Sequence, residues 1–434
     1  MTSVPQSCGL SLKRLARGAG VAVVFMLLAA PVLCADEPER LTVIRAGKII
    51  TGTGEEIHDG VIVLNGAKIQ NVGKGLEYPL NAKVIDARNR VVMPGLINPS
   101  SRFGLSGYHR AEVHGNWTVA DEYFPAPDAY DELLDAGYTT LALVPGGGGI
   151  PGRAIVVHTA GAQEQRVLQA PAYLRVTPDK RVLRGALERA QQEIEKVEKA
   201  KQEFEKKQEQ ERRAAPPASQ PASQPGSQPT SVPATQPAFQ PPPIDPAFQV
   251  LVDLIQKKPD VFALLELGSA SDYVHFSEVL KKFDVAHQFL ARNGQQSDFT
   301  FIAEQIGAKK PRVVLQPVIN RAPNSAERIH VVRQFAQAGC EVSLMPLADD
   351  AEEHRQMLGR IALLVREGWT RAEALKAVTL HPARLLGLDS RLGSIEKDKD
   401  ADLIFLDADP LDPLARVREV MIAGEIVRRV EVPQ

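Results

Sequence analysis

Over residues 41–93 apolar and polar positions alternate in short runs: LTVIRA, GVIVLNG, KIQNVG, AKVIDA and RVVM, separated by Gly, Asn or Asp. Period-two alternation punctuated by turn formers predicts the strands of an antiparallel sheet or sandwich. The texture returns over 394–430, in ADLIFLDADP and VREVMIAGEIVRR. Between these blocks the pattern changes. The runs 139–144 (TTLALV), 261–267, 313–318 and 342–345 are nearly continuous apolar strands, and 129–136, 272–283, 297–306, 326–338 and 352–366 carry helical spacing. Strand-then-helix units predict a parallel sheet with crossover helices. Roughly 240 residues of such units suit a (β/α)8 barrel. The expected fold is α/β: a TIM-like barrel over 94–393 plus a small composite β-sandwich from both chain ends, 40–93 and 394–432.

Two segments depart from this pattern. Residues 1–35 open with the cations Lys13, Arg14 and Arg17, continue with the apolar run GVAVVFMLLAAPVL and end before the acidic stretch Asp36-Glu37-Pro38-Glu39. That order is a secretory signal peptide, too short to span a bilayer with its flanks. It predicts an exported protein, periplasmic or secreted, with no stable membrane insertion after cleavage at 32–34 or 33–35. Acylation of Cys34 and an uncleaved membrane anchor are the alternatives. The second departure is an insertion at 183–245. Its first part is dense in Glu, Gln, Lys and Arg, and Glu195 with Lys199 and Glu203 with Lys207 stand four apart. Such pairs support a solvated, protruding helix. The stretch 214–243 then repeats Ser/Thr-Gln-Pro, and ten of its thirty residues are proline. Proline fixes φ and lacks an amide donor, so a disordered tether is expected there.

Composition removes several function classes. The 434 residues carry 51 Lys and Arg against 53 Asp and Glu, a formal charge of −2, with 5% aromatics. No basic excess or stacking platform points to nucleic acid. Three cysteines, at 8, 34 and 340, are too few for a disulfide framework or a Cys-rich zinc site. Cys340 lies in the apolar stretch FAQAGCEVSLM and reads as a core residue.

Certain motifs are recognisable. Val91-Val92-Met93-Pro94-Gly95-Leu96-Ile97-Asn98 resembles the opening of the amidohydrolase superfamily, where a sandwich hands over to a metal-dependent barrel. ALKAVTLHPARLLGL, LGSIEKDKDADL and VMIAGEIVR resemble its last barrel helix, its return to the sandwich and its terminal strand pair. The imidazolonepropionase-like secreted branch is the nearest in pattern. The resemblance implies hydrolysis of a non-peptide C–N bond, in a cyclic amide or dipeptide-like substrate. It also implies one or two divalent metals, commonly zinc, which activate a water at the barrel's C-terminal mouth.

The ligand positions depart from that family. Where the resemblance implies a His-x-His after the Pro-Gly-Leu-Ile turn, this chain has Ser100 and Arg102. Serine is a poor zinc ligand, and arginine is a permanent cation. The fifth-strand histidine falls on Leu265 or Glu266, and the sixth-strand one on Asn293. The fourth-strand lysine or glutamate has no fixed match, with His158 one candidate. The eighth-strand aspartate matches Asp349 or Asp350. No metal ligand set is therefore expected, and no cofactor. His109 and His114, on the loop after the first barrel strand, are the candidates for a substitute site. His275, His287, His330 and His354 fall in helical patterns and His381 beside Pro382, so all five read as structural. Two expectations follow. The first is a secreted amidohydrolase with an altered metal site, using Asp349 or Asp350 as base. The second, favoured by the residue chemistry, is a pseudoenzyme that keeps the mouth for a small-molecule ligand or partner, with Arg102 paired to Glu266 where metal would sit.

Overall fold

A computed structural model describes residues 41–430 except 106, 108, 125, 127, 163–164, 215–237, 295–297 and 323. The expected signal peptide and most of the proline-rich stretch lie outside the described residues. The two chain ends join in one seven-stranded sheet. Its order is Glu425–Arg429, Val417–Ile422, Leu403–Leu406, Lys83–Pro94, Thr42–Ile50, Glu56–Asn65, Lys68–Lys74. The sheet is mixed, because Thr42–Ile50 runs parallel to Lys83–Pro94 while the other pairs are antiparallel. Alternation sorts its side chains. Ile44, Ile62, Leu64, Val92, Leu403 and Phe405 form one buried cluster, while Met93, Ile404, Leu406 and Val420 join the large core shared with the barrel.

The barrel wall has eight staves. In order they are Leu96–Ser101, Tyr138–Leu143, a third made of Gly152–Arg153 and Ile155–His158, Leu174–Val176, Ala263–Leu267, His287–Ala291, Arg312–Leu315 and Glu341–Leu344. The fourth to eighth are parallel neighbours, as are the first and second. The third is the exception to the regular parallel pattern: it is antiparallel to the second on one side and to the fourth on the other. The cause is local. Residues 144–151 form a tight Gly-rich return in place of a crossover helix, so the chain re-enters the wall reversed. Only glycine fits at Gly147 of that return, because its φ is +118° and a Cβ would fall on the Arg110 carbonyl. This glycine-rich segment follows the second stave. The first and eighth staves meet at a seam bridged by the chain between the last two helices, Arg371–Lys376 and Leu380–Leu385: Ile97 N–H donates to Val378 O at 3.0 Å and Leu344 N–H to Ala377 O at 2.8 Å.

Alternation also divides the staves into two layers. Leu141, Leu143, Leu174, Leu265, Phe289, Val313 and Leu344 face the helices, whereas Ala142, Tyr173, Leu264, Leu290, Val314 and Met345 form a separate inner cluster. Continuing the inner set by two residues toward the strand C-termini gives Arg175, Glu266, Arg292 and Gln316. A polar ring thus crowns an apolar interior.

Several elements differ in extent from their sequence pattern. The charged helix α1 (Lys180–Ala214) starts where Asp179 accepts the Arg181 and Val182 amides. Its Leu183, Ala186, Leu187 and Ala190 are buried at helical spacing, so the departure from the core comes after Ala190 and not at 183. Residues 331–337 are helical but 326–330 are not, because the His330 imidazole caps the helix by accepting the Arg333 amide. The helical pattern over 297–306 is a tight 3-10 turn, Asp298–Ile302, followed by Ala303–Gly307. Among the described residues no helix is long and apolar enough to cross a membrane.

Candidate functional site

The C-terminal mouth of the barrel encloses a cavity of about 170 Å3 lined by Asn98, Ser100, Ser101, Arg102, Arg175, Arg292 and Asp349, among others. Ser100, Arg102 and Asp349 of the predicted site therefore share one pocket. Asp349, just past the eighth stave, is bound across the seam to the end of the first: Ser101 Oγ donates to Oδ1 at 2.7 Å and the Arg102 amide donates to Oδ2. Its side chain keeps about a third of its surface exposed. Asp350 does different work. It caps the short helix α2 (Ala351–Arg355) by accepting the Glu353 amide at 2.9 Å.

Glu266 and Arg102 do not meet. Glu266 accepts two hydrogen bonds from Arg175, Nε to Oε1 at 2.8 Å and Nη2 to Oε2 at 3.1 Å, and Arg175 Nη1 donates to Pro145 O. Arg292 Nη2 lies 3.7 Å from Glu266 Oε1. The adjacent fourth and fifth staves place Arg175 and Glu266 in the same inward layer, which is why they pair. Arg102, past the end of the first stave, points its Nη1 to Val144 O at 2.9 Å and its Nη2 toward Glu122 at 3.8 Å. Burial is the main reason its guanidinium pKa lies below the ordinary value, with Glu122 opposing the shift.

Two other candidates fall outside the pocket. His158 lies at the C-terminal end of the antiparallel stave and therefore at the barrel foot, where its Nε2 is 2.9 Å from Asp402 Oδ2. Arg175 occupies the fourth-stave position instead. Asp402 is buried at the foot as the partner of His158 and accepts the Ala423 amide. Asn293 is fully buried and staples the sixth stave to the seventh: Nδ2 donates to Gln316 O and Oδ1 accepts the Gln316 amide. The His109 side chain is exposed and His114 is half-buried; neither belongs to a cluster.

Residues that sequence reasoning passed over complete the site. Arg175 had a faint signal, a cation inside the strand-like YLRV. His354, whose helical pattern read as structural, reaches the first stave. Its Nδ1–H donates to Asp350 O at 2.6 Å, and its Nε2 accepts from Asn98 Nδ2 at 3.0 Å, which fixes one neutral tautomer. Burial is the largest cause holding its pKa below the ordinary histidine value, against the Asp350 carbonyl and the Asp349 charge.

The donor set does not fit zinc. Among the described residues no three His, Cys, Asp or Glu side chains converge. The pocket offers two hydroxyls, an amide, three guanidiniums and one carboxylate, and the nearby Glu266 is committed to Arg175. A divalent ion about 5 Å from a single guanidinium would meet a repulsion of about 7 kcal/mol at an effective dielectric near 20. The mouth can bind a small polar molecule through opposed charges, and it can hold a proton acceptor, Asp349, beside cationic donors.

Comparison with known proteins agrees with this architecture. Residues 307–427 match the sequence profile of the Amidohydrolase family. An amidohydrolase from Thermotoga maritima superposes with a TM-score of 0.71 at 20% identity, over 90% of this chain and 100% of that one. The chain therefore has the fold of a solved amidohydrolase, and its residues 307–427 carry the Amidohydrolase family pattern. N-acetylglucosamine-6-phosphate deacetylase of Danio rerio is 47% identical over 62 residues, 14% of either chain. Imidazolonepropionase of Erwinia tasmaniensis is 38% identical over 93 residues, 20% of this chain and 22% of its own. The chain thus aligns with only a minor part of these relatives' length.

Proposed function

We propose that this chain belongs to the amidohydrolase superfamily, has lost, or much reduced, metal-dependent C–N hydrolysis and uses the barrel mouth to bind a small polar ligand. The two-point ion pair between Arg175 and Glu266 carries the reading. It ties up a carboxylate at the fifth stave and sets a fixed cation at the fourth, where metal chemistry needs neutral or anionic donors. Arg102 and Arg292 add positive charge on the same pocket. Elemental analysis of full-length protein produced in zinc-supplemented medium tests it, together with assays on N-acyl amino acids and dipeptides. The expected result is sub-stoichiometric zinc that a chelator removes without changing the melting temperature, and no zinc-dependent turnover. Stoichiometric bound zinc with chelator-sensitive hydrolysis overturns the proposal.

A second reading rests on Asp349. Held by Ser101 and the Arg102 amide and still partly exposed, it is placed to take a proton from a water, with guanidiniums as the electrophilic partners. That reading requires turnover that persists in chelator and disappears in Asp349→Asn. Export rests on the pattern of residues 1–35 and is tested by sequencing the amino terminus of the protein recovered from a periplasmic fraction.

A further inference from the structure

A second cleft lies on the outer wall, between helix α3 (Ala270–Lys282) and helix α4 (Ala303–Gly307), at the entry to the sixth and seventh staves. Its volume, about 520 Å3, is three times that of the mouth and within the usual range for small-molecule sites. Its floor is a chain of edge-to-face rings. Tyr273 meets Phe289 at 5.6 Å and 69°, and His287 meets the other flank of Phe289 at 5.1 Å and 73°. Leu280 and Ile306 complete an apolar wall.

The charge around this floor is one-sided. Lys281, Lys309, Lys310 and Arg312 line the cleft, and no Asp or Glu does. Glu341 pairs with the cleft's own Arg312 as well as with Arg384, and Asp284, which also feels the charge of Lys309, pairs with Lys257, so the excess positive charge of the cleft is that of its three lysines. Among the described residues, none of Lys281, Lys309 and Lys310 has a carboxylate within ion-pair distance. His287 donates Nδ1–H to Val285 O at 2.8 Å, which leaves Nε2 as an acceptor. Burial is the main cause holding the pKa of this imidazole below the ordinary histidine value, and Lys309 adds to it. Lysines scattered on a solvated surface do not surround an aromatic floor with this charge imbalance.

We propose that this cleft is a binding site for a small aromatic anion, its ring on the Tyr273–Phe289 floor and its phosphate or carboxylate group held by Lys309, Lys310 and Lys281. The site is independent of the barrel mouth. Isothermal titration of the full chain with phenyl phosphate, inorganic phosphate and phenol tests it. Phenyl phosphate should bind saturably and more tightly than either fragment. The exposed double substitution K309E/K310E should weaken it at least about tenfold with an unchanged melting temperature. Ser277→Trp, which fills the cleft, should remove binding, and Arg292→Ala at the mouth should leave it intact. Affinity unchanged in K309E/K310E, inorganic phosphate binding as tightly as phenyl phosphate, or no saturation at millimolar ligand overturns the proposal.

Discussion

Asn98 and His354 hold each other through a 3.0 Å hydrogen bond from the amide Nδ2 to the imidazole Nε2, joining the first stave to the helix behind the eighth. The bond requires an unprotonated Nε2, so protonation and this contact exclude one another. His287, His330 and His381 are likewise held below their ordinary pKa, chiefly by burial. For such groups the unfolded chain takes up protons that the folded chain refuses. Stability is therefore retained above the unfolded value of about 6.5 and lost as pH falls below it, by up to about 1.4 kcal/mol per pH unit for each histidine. Denaturation by urea at a series of pH values should show this decline between pH 6.5 and 5. His354→Gln should be less stable than the parent at pH 8 yet show a shallower decline. An unchanged slope in that variant would mean that His354 titrates normally.

The Arg175–Glu266 pair is buried on both sides. Removing one partner leaves a desolvated charge, which typically costs about 3–5 kcal/mol. Glu266→Gln should lower the urea midpoint accordingly. The double variant R175M/E266L should recover most of that loss, since neither charge then remains. Equal destabilisation of single and double variants would show that shape, and not charge, is what the pair supplies.

Gly95, in the Pro-Gly-Leu-Ile turn, packs against the second stave so closely that a Cβ would overlap Thr139 Oγ1 and Cγ2. Gly95→Ala should destabilise by about 1–3 kcal/mol, the usual cost of overpacking. Combining it with Thr139→Ala should restore part of the loss. A neutral G95A would falsify this account of the glycine.

Cys340 is buried, and burial pushes its thiol up to about 12. Peptide mapping after iodoacetamide treatment at pH 8 should find Cys340 unmodified in native protein and fully modified in guanidinium chloride. Rapid labelling of the native protein would place the thiol at the surface.

The architecture was legible where periodicity was strong. Alternating runs at both ends marked the shared sheet, and continuous apolar runs such as 261–267 marked staves. The reversal of the third stave was not visible, since a strand reads alike in either direction and Gly146 to Gly149 signal a turn without its sense. The site was legible in part. Ser100 and Arg102 are fixed by their distance from the Pro-Gly-Leu-Ile turn, whereas the sequence leaves the choice between Asp349 and Asp350 open, and the structure sets Asp349 at the mouth and Asp350 on a helix cap. Arg175, His158 and His354 depend on which layer of the wall a residue faces, and that is decided by neighbours far away in sequence. Glu266 pairs with Arg175 and not with Arg102, because a salt bridge follows stave adjacency and Arg102 belongs to the opposite wall.

Running one wall segment backwards has a practical cost for anyone wishing to rebuild chemistry here. Seven segments deliver their outgoing loops to the functional face, but the third stave sends its loop to the rear, carrying His158 with it. A graft intended for that sector has to be installed ahead of Gly152, where the chain enters, and new donors there must coexist with glycines that tolerate no added side chain. Transplanting a ligand set from an all-parallel relative by position alone would leave one member on the far side of the molecule.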